Sequence, residues 1–552
     1  MSEQSANINF KWWQKTSIYQ IWPRSFFDSN GDGIGDLKGI NAKLDYVKGM
    51  GFEAIWLSPF FTTPFRDSGY DVSDYCDVSP QYGSLADAQL LIDAAHQKGL
   101  RIIFDLVMGH TSIEHPWFKE SRSSKTNPKR DWYIWKPGKG KKPPNNWKSM
   151  VGNRGWQYDA TTDEWFYTSF LKFQPDLNYH NPAVKKAMFD NARFWLNKGA
   201  DGYRLDIFNC IYKDESFQDN PFSWKYFPAA HTMNEAFFQK KIYSMNHAKS
   251  FELARELRAV IDEFPGDRFV IGEVSGDDLS IKKYLGDANQ GLNLIFMFEN
   301  LEFTFTSTFF RKILQKHARN FPYPYMPTCV FGNHDVTRIM SKLKGDERKA
   351  KLLALYQFTV RAVPVSYYGD EIGIVNGDTS FRMSGDGIAQ QYKWLAKPVA
   401  NALGLFLNRE DAKAPMQWDS SANAGFTGAQ GKPWLPVNPD FKTKNVRQQL
   451  CDENSLLLVY RKLLHLRKSN PLFSEGDIEL LPASEAAQDL LVYRRSLGSA
   501  QALVLINFGC KRLSWNNNSS CKHILFSIHE QAQVSLNRIS LDAFGGLIVS
   551  NA

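Results

Sequence analysis

Eight short apolar runs alternating with helical patterns constrain this chain more than any other feature. The runs are SIYQIW from Ser17, AIWLSPF from Ala54, RIIFDLV from Arg101, GYRLDIF from Gly202, RFVIGEV from Arg268, NLIFMF from Asn293, PTCVFGNHD from Pro327 and VPVSYYG from Val363. Their nearly continuous apolar character fits strands buried on both faces, as in a parallel sheet. Helical patterns such as DLKGINAKLDYVKGMG from Asp36 and LADAQLLIDAAHQKG from Leu85 lie between them. The second ends on Lys98 and Gly99, a cation and a glycine where a helix stops. Eight β-then-α units predict an α/β fold, a (β/α)₈ TIM barrel.

Two spacings break the rhythm. The segment 109–174 is rich in Trp, Pro, Gly and Lys and too long for a simple connection, so it reads as a small subdomain B inserted after the third strand. A second long segment, 373–438, follows the eighth strand. Beyond the helical NSLLLVYRKLLHLRKSN, the alternating runs DIELLP, DLLVYRRSL, QALVLINF and HILFSI predict a C-terminal antiparallel β-sandwich domain. The expected organisation is a catalytic barrel over 1–108 and 175–470, subdomain B over 109–174, and a β domain over 471–552.

Composition excludes several classes. With 43% hydrophobic and 22% charged residues over 552 positions, the chain reads as globular with ample core, not disordered. A net charge of +8 is mild at this length and names no nucleic-acid partner. The basic run from Lys136 to Lys142 reads as a surface loop. No apolar stretch approaches about 18 residues, so no membrane span is expected. The opening MSEQSANINFKWW lacks a basic region followed by an apolar run, so no signal peptide is expected. Six scattered cysteines show no metal or redox spacing, which fits reduced thiols and a cytoplasmic location.

In a barrel of this kind the functional residues sit at the C-terminal ends of the strands. The third strand supplies Asp105 and then His110, the fourth Arg204 and Asp206, the fifth Glu273, and the seventh Asn333, His334 and Asp335, with Arg338 just beyond. Carboxylates on separate strands beside cationic groups suit acid catalysis, nucleophilic attack and stabilisation of a positive transition state, the demands of glycoside hydrolysis. Each residue alone also fits a helix cap or a structural role. A divalent-metal hydrolase is the competing use of such residues, and no HxH pair on an early strand anchors one.

DLVMGHTS from Asp105, QPDLN from Gln174, GADGYRLDIFN from Gly199, IGEV from Ile271 and FGNHDVTR from Phe331 occur in this order. Together they resemble glycoside hydrolase family 13, the α-amylase family, and within it the oligo-1,6-glucosidase and α-glucosidase branch. The resemblance implies Asp206 as nucleophile, Glu273 as general acid and then base, and Asp335 as the group that supports the oxocarbenium-like transition state. It implies that Arg204 orients Asp206, that His110 and His334 bind sugar hydroxyls, that Tyr70 stacks on the sugar, and that Arg338 lies in the same site. It also implies that Asp67 and Arg409 grip the terminal glucose; without the resemblance that pair reads as a surface ion pair. One departure falls inside a motif. Gly109 stands where the family usually has an Asn that, in many amylases, helps hold calcium, so calcium is not expected there.

The loop from Asp28 to Asp36 alternates oxygen-bearing residues with glycines, the logic of an EF-hand-like loop. The resembling branch uses it for structural calcium, with magnesium as the alternative. Asp28, Asn30, Asp32 and Asp36 would give side chains and Ile34 its carbonyl. The competing reading is a turn that caps the following helix.

The implied activity is that of an exo-acting, retaining α-glucosidase that releases α-glucose from the non-reducing end of short α-glucosides, with transglucosylation as a companion reaction. Ile207, β-branched like the Val that follows the nucleophile in α-1,6-acting relatives, leans the linkage toward α-1,6. Sucrose isomerase and trehalose-6-phosphate hydrolase are rivals on the same scaffold, although no RLDRD-like run marks the isomerases here. The non-enzyme alternative is a catalytically silent sugar-binding or transporter-partner homologue. The expected partner is an oligosaccharide substrate, with no nucleic acid or membrane, and a monomer or homodimer.

Overall fold

A computed structural model describes residues 9–226, 233–482, 488–528, 532–535 and 537–551. All eight predicted strands form: β1 (Ile18–Ile21), β2 (Ala54–Leu57), β3 (Arg101–Leu106), β4 (Gly202–Leu205), β5 (Phe269–Gly272), β6 (Leu294–Ile295), β7 (Thr328–Val330) and β8 (Val363–Tyr367). They make one parallel sheet in the order β6-β5-β4-β3-β2-β1-β8-β7, so strands consecutive in the chain are neighbours in space.

The strands are buried on both faces, which is why their sequences read as continuous apolar runs. One alternating set fills the barrel: Ile18, Trp56, Ile103, Ile271, Leu294, Val330 and Val365 share a core cluster. The intervening set, including Ile55, Leu57, Ile102, Leu205 and Val270, packs outward in the larger cluster. That outer layer is made by α1 (Leu44–Met50), α2 (Leu85–Gln97), α3 (Pro182–Asn197), α4 (Ala248–Asp262), α5 (Asp278–Leu285), α6 (Ser307–Asn320), α7 (Glu347–Thr359) and α8 (Leu456–Ser469). Local chemistry sets their ends. Ser84 and Asp87 form a capping box at the start of α2, and Gly99 takes a positive φ of 66° just beyond its end.

Strands β6 and β7 share no ladder, and a side chain closes the barrel there. The Thr328 hydroxyl donates to the Ile295 carbonyl at 3.0 Å and accepts from the Met297 N–H at 2.9 Å. One hydroxyl thus satisfies a buried backbone acceptor and a buried backbone donor that strand pairing leaves open.

Three excursions rise from the C-terminal side of the barrel. The first, between β3 and α3, carries a three-stranded antiparallel sheet (Trp135–Lys136, Glu164–Tyr167, Trp156–Asp159) around Trp147, Trp156, Trp165 and Tyr167. The second, between β4 and α4, carries the hairpin Glu235–Ala236/Gln239–Lys240; the sequence pattern does not mark it. The third follows β8. The C-terminal part is two antiparallel sheets that share Leu490, Val492, Leu503, Leu505, Ile539 and Leu541 as their inner layer. Tyr493, Val504 and Ile506 on the other face join the barrel's outer core.

Replacing Thr328 by Val keeps shape but removes both seam bonds. It is expected to cost about 2 kcal/mol or more, while Thr328→Ser stays near wild type. Equal urea midpoints for Thr328→Val and wild type would show that the seam does not depend on this hydroxyl.

Candidate active site

Register builds the site. Strands β3 and β4 pair with Asp105 opposite Arg204, and β5 sets Ile271 beside Arg204. Arg204 Nη1 donates to both Asp105 oxygens (2.8 and 3.0 Å), to Asp206 Oδ1 (3.0 Å) and to the Tyr70 hydroxyl (3.2 Å). Its Nη2 donates to Glu273 Oε2. The guanidinium carbon lies 5.2 Å from the centre of the Trp56 ring and 5.6 Å from that of Tyr70. Asp105 also accepts from Trp56 Nε1 (3.3 Å) and from the Tyr70 hydroxyl (3.0 Å).

Depth divides the carboxylates into two kinds. The Asp105 and Arg204 side chains are 0% and 3% exposed, whereas those of Asp206, Glu273 and Asp335 are 10%, 17% and 32% exposed. The last three form the floor that a ligand can touch, and Asp105 is a buried counter-charge beneath it. Burial pushes Asp206 up to about 7 against the pull of Arg204, with Asp105 and Asp335 adding repulsion. Burial likewise pushes Glu273 up to about 7, opposed by Arg204 and reinforced by Asp206 and Asp335. These carboxyls titrate as a coupled group that keeps a proton near neutral pH.

The geometry around Asp206 is tight. Ile207, the next residue, has φ 30° and ψ 47°, a left-handed conformation that a β-branched residue rarely adopts. Its N–H points at Glu273 Oε2 from 3.4 Å. The turn therefore carries the chain from the nucleophile candidate straight back toward the acid candidate.

At the other side of the mouth, Asp335 lies 3.1 Å from His334 Nε2 and 3.4 Å from Arg409 Nη1. Burial alone would raise its carboxyl, but His334, Arg409 and Lys413 outweigh that and hold it well below the usual carboxylate range. Burial drives His334 down to about 4, so the imidazole is neutral at neutral pH.

The far wall joins residues separated by more than 300 positions in the chain. Arg409 Nη2 bonds Asp67 Oδ1 at 2.6 Å and Asp386 Oδ1 at 2.7 Å. Gln174 Nε2 donates to Asp67 Oδ2 at 2.9 Å, and the Phe170 ring centre lies 5.5 Å from the guanidinium carbon. Burial raises the Asp67 carboxyl despite Arg409; for Asp386 the charge and hydrogen bonds of Arg409 overcome burial and lower it. Asp386, Lys413 and Phe170 escaped the sequence reading, because each lies in an excursion whose path only the folded chain reveals. Gln174 lies in the QPDLN segment, and its contact with Asp67 is set by the fold.

The expected residues fall into place unevenly. Asp67, Tyr70, Arg204, Asp206, Glu273, His334, Asp335 and Arg409 form one connected constellation. His110 borders it, with Nε2 donating to the Tyr70 carbonyl at 3.1 Å. The Tyr70 ring stacks on His334 with centres 5.3 Å apart, and its hydroxyl belongs to the Asp105 network. Arg338 requires a correction. Its side chain is 0% exposed, donates from Nη1 to the Tyr368 carbonyl at 2.8 Å, and lies against Tyr367 and Tyr368. The sequence after Asp335 turns it into the barrel wall, away from the mouth.

In the 28–36 loop each side-chain oxygen group faces a backbone N–H. Asp28 accepts from Asn30, Gly31 and Gly33 at 2.7–3.0 Å. Asn30 accepts from Asp32 (2.9 Å) and Asp32 from Ile34 (2.8 Å). Asp36 caps the helix Leu37–Ala42 through Gly39 N–H. Among the described residues, no group of three or more His, Cys, Asp or Glu side chains converges on a point that could hold a metal. The donor chemistry is nevertheless all oxygen, three carboxylates, an amide and a carbonyl, which is what a hard cation takes.

The alpha amylase catalytic-domain model matches residues 20–476. The oligo-1,6-glucosidase of Parageobacillus thermoglucosidasius is 37% identical over 533 residues, which cover 91% of each chain. The probable alpha-glucosidase of Rhizobium meliloti (strain 1021) is 39% identical over 509 residues, 90% of this chain and 89% of its own. The crystal structure of the alpha-glucosyl transfer enzyme XgtA superposes with a TM-score of 0.89 at 32% identity, over 99% of this chain and 100% of that one.

A Cβ at Gly109, where the family pattern has Asn, would meet Ile211 Cγ1 at 3.8 Å, and a buried ammonium group lies two residues further along that loop. Lys213 Nζ is buried, lies 2.8 Å from Asp176 Oδ2 and donates to the Cys210 carbonyl. Asp176 pairs with His110, and the next residue, Leu177, bonds the Gly109 carbonyl. The lysine thus ties the loop after β4 to the β3 excursion. Lys213→Met leaves the buried Asp176 without a counter-ion, held by the Ser169 N–H and hydroxyl, an expected loss of about 3 kcal/mol. A shift in denaturation midpoint no larger than that of a surface Lys→Met control would show that the pair has no anchoring role.

Proposed function

Because this chain belongs to the α-amylase family of glycoside hydrolases, we propose that it is an exo-acting, retaining α-glucosidase with a preference for α-1,6-linked glucose. The observation that carries this reading is the set of three mouth-facing carboxylates, with Asp206 and Glu273 on the buried Arg204 guanidinium and Asp335 across the mouth between His334 and Arg409. Asp206, held by Arg204, attacks the anomeric carbon as the glycosidic bond breaks. Glu273 gives its proton to the departing oxygen, then takes one from the water that cleaves the glucosyl–Asp206 ester. Asp335, kept ionised, stabilises the positive charge that builds on the ring. Two displacements at one carbon retain the α configuration. An acceptor hydroxyl in place of water gives glucosyl transfer.

The exo preference rests on the Asp67–Arg409–Asp386 cluster, which walls off the mouth with charged groups suited to the hydroxyls of a terminal glucose. The α-1,6 preference rests on Ile207 and the QPDLN segment. Among the described residues no helix is long and apolar enough to cross a membrane; the six free thiols support a reducing, cytoplasmic setting.

Proton NMR of the reaction with isomaltose, maltose, sucrose, trehalose and trehalose 6-phosphate tests the reading. Early α-glucose, fastest from isomaltose, is expected. Asp206→Asn should lower kcat by about 10⁴-fold or more. Activity should fall as pH rises past about 7, where Glu273 loses its proton, and also in acid, where Asp206 gains one; Glu273→Gln should abolish the basic limb. Early β-glucose, or turnover unchanged in Asp206→Asn, overturns the mechanism. Isomaltulose from sucrose would reassign the chemistry to isomerisation.

For the 28–36 loop we propose structural calcium held by Asp28, Asn30, Asp32, Asp36 and the Ile34 carbonyl. The ion would supply charge that rigidifies the loop, with no part in the reaction. Added calcium should raise stability by about 2–4 kcal/mol at 100–1,000 times its Kd. Asp32→Ala should erase that gain, while identical melting with calcium and with EDTA would remove the site.

A further inference from the structure

Gln20 lies on β1 with its side chain fully buried beneath the mouth. Its Nε2 is 2.8 Å from His334 Nδ1 and 3.1 Å from Ser58 Oγ. Its Oε1 is buried and has no partner. On the opposite edge of the imidazole, His334 Nε2 lies 2.7 Å from the Tyr70 hydroxyl and 3.1 Å from Asp335 Oδ2.

These contacts determine where the imidazole proton sits. An ionised carboxylate only accepts, so Nε2 must carry hydrogen to lie beside Asp335. In a neutral ring Nδ1 is then bare and needs a donor, and the Gln20 amide is the group that provides one. Turning the amide over would aim its oxygen at Nδ1. The ring would then have to become a cation or present a lone pair to Asp335. The cation is opposed by burial, because the rings of Trp22 (5.2 Å), Tyr70 (5.3 Å) and Trp56 (6.1 Å) shut water away from the imidazole, and by the positive charge of Lys413 and Arg204. Asp335 is the group that favours it. The unpartnered Gln20 oxygen is the cost of keeping the N–H where it is needed.

We propose that Gln20 is a positioning residue: its amide donates to His334 Nδ1 and locks the imidazole as the Nε2–H tautomer, so that His334 donates to Asp335 and Tyr70, and Tyr70 turns its own proton to Asp105. Hydrogen bonds then run in one direction from the first strand through His334 and Tyr70 to the counter-charge under Arg204. As a statement about turnover, this rests on the hydrolase reading, with Asp335 as the transition-state carboxylate.

The test compares wild type, Gln20→Glu and Gln20→Met by pH-rate profile on isomaltose and by histidine ¹⁵N NMR, with the His334 signals assigned from their loss in His334→Gln. Wild type should show Nε2 protonated and Nδ1 bare. In Gln20→Glu the ionised carboxylate only accepts, so both ring nitrogens should be protonated at neutral pH. Its kcat should fall by about 10²-fold at neutral pH, with KM changed less, and the ratio of its kcat to that of wild type should recover in acid, where a protonated carboxyl donates again. Gln20→Met should lose activity without that recovery. A Gln20→Glu profile parallel to wild type, with unchanged His334 signals, overturns the proposal. So does a wild-type His334 protonated on Nδ1, a result that stands even where Gln20→Glu fails to fold. A wild type that cleaves no α-glucoside would instead sink the hydrolase reading, and the tautomer would still be read directly.

Discussion

One buried guanidinium organises the mouth of this barrel. Arg204 carries a single positive charge and touches Asp105, Asp206 and Glu273, three groups that can each be negative. A charge that deep is tolerable only when it is paired and hydrogen-bonded. The pairing is also incomplete in the opposite sense, because three carboxylates exceed one cation. Burial, with that excess of negative charge added to it and Arg204 opposing, lifts both Asp206 and Glu273 well above their ordinary values, up to about 7. The unfolded chain releases these protons near the ordinary carboxylate values and the folded chain near 7, so this cluster makes stability fall as pH climbs across that interval. The same burial and imbalance keep a proton on this cluster near neutral pH. Stability is given up locally, and the barrel's large core absorbs the loss.

Arg409 repeats the device at the far wall, with Asp67, Asp386 and Asp335 around it. Asp335 lies between the two systems, facing Arg409 on one side and His334 on the other. Neither cluster could be held by a mobile scaffold. The eight strands provide rigid attachment, the Thr328 seam completes the circle, and Lys213 pins the β3 excursion to the loop after Asp206. The strained turn at Ile207 is tolerable in that setting, because its neighbours are fixed on both sides.

Much of this was legible beforehand. All eight strands were readable because each is buried on both faces, which leaves an unbroken apolar run. The carboxylates were readable because barrel strands present function at one end. The short strands Leu513–Asn516, Gln533–Val534 and Arg538–Leu541 and the final strand Gly546–Ser550 were not. The first three are brief and partly exposed, and the last is five residues long with no polar alternation to mark it as half of a sandwich. Arg338 was misread because its neighbours in sequence are site residues, yet a helical turn at Ile339–Lys342 begins directly after it and sends its guanidinium inward.

The barrel, the order of its strands and the mouth carboxylates follow from local apolar periodicity and from residues adjacent in the chain, so they can be read along it. The rest arises only when the chain folds. That Gln20 faces His334, that Asp386 and Gln174 complete the Arg409 cluster, and that Lys213 neutralises Asp176 are all facts of long-range proximity. Each involves a polar residue whose meaning comes from the partner it meets, and no periodicity in the chain encodes who that partner will be.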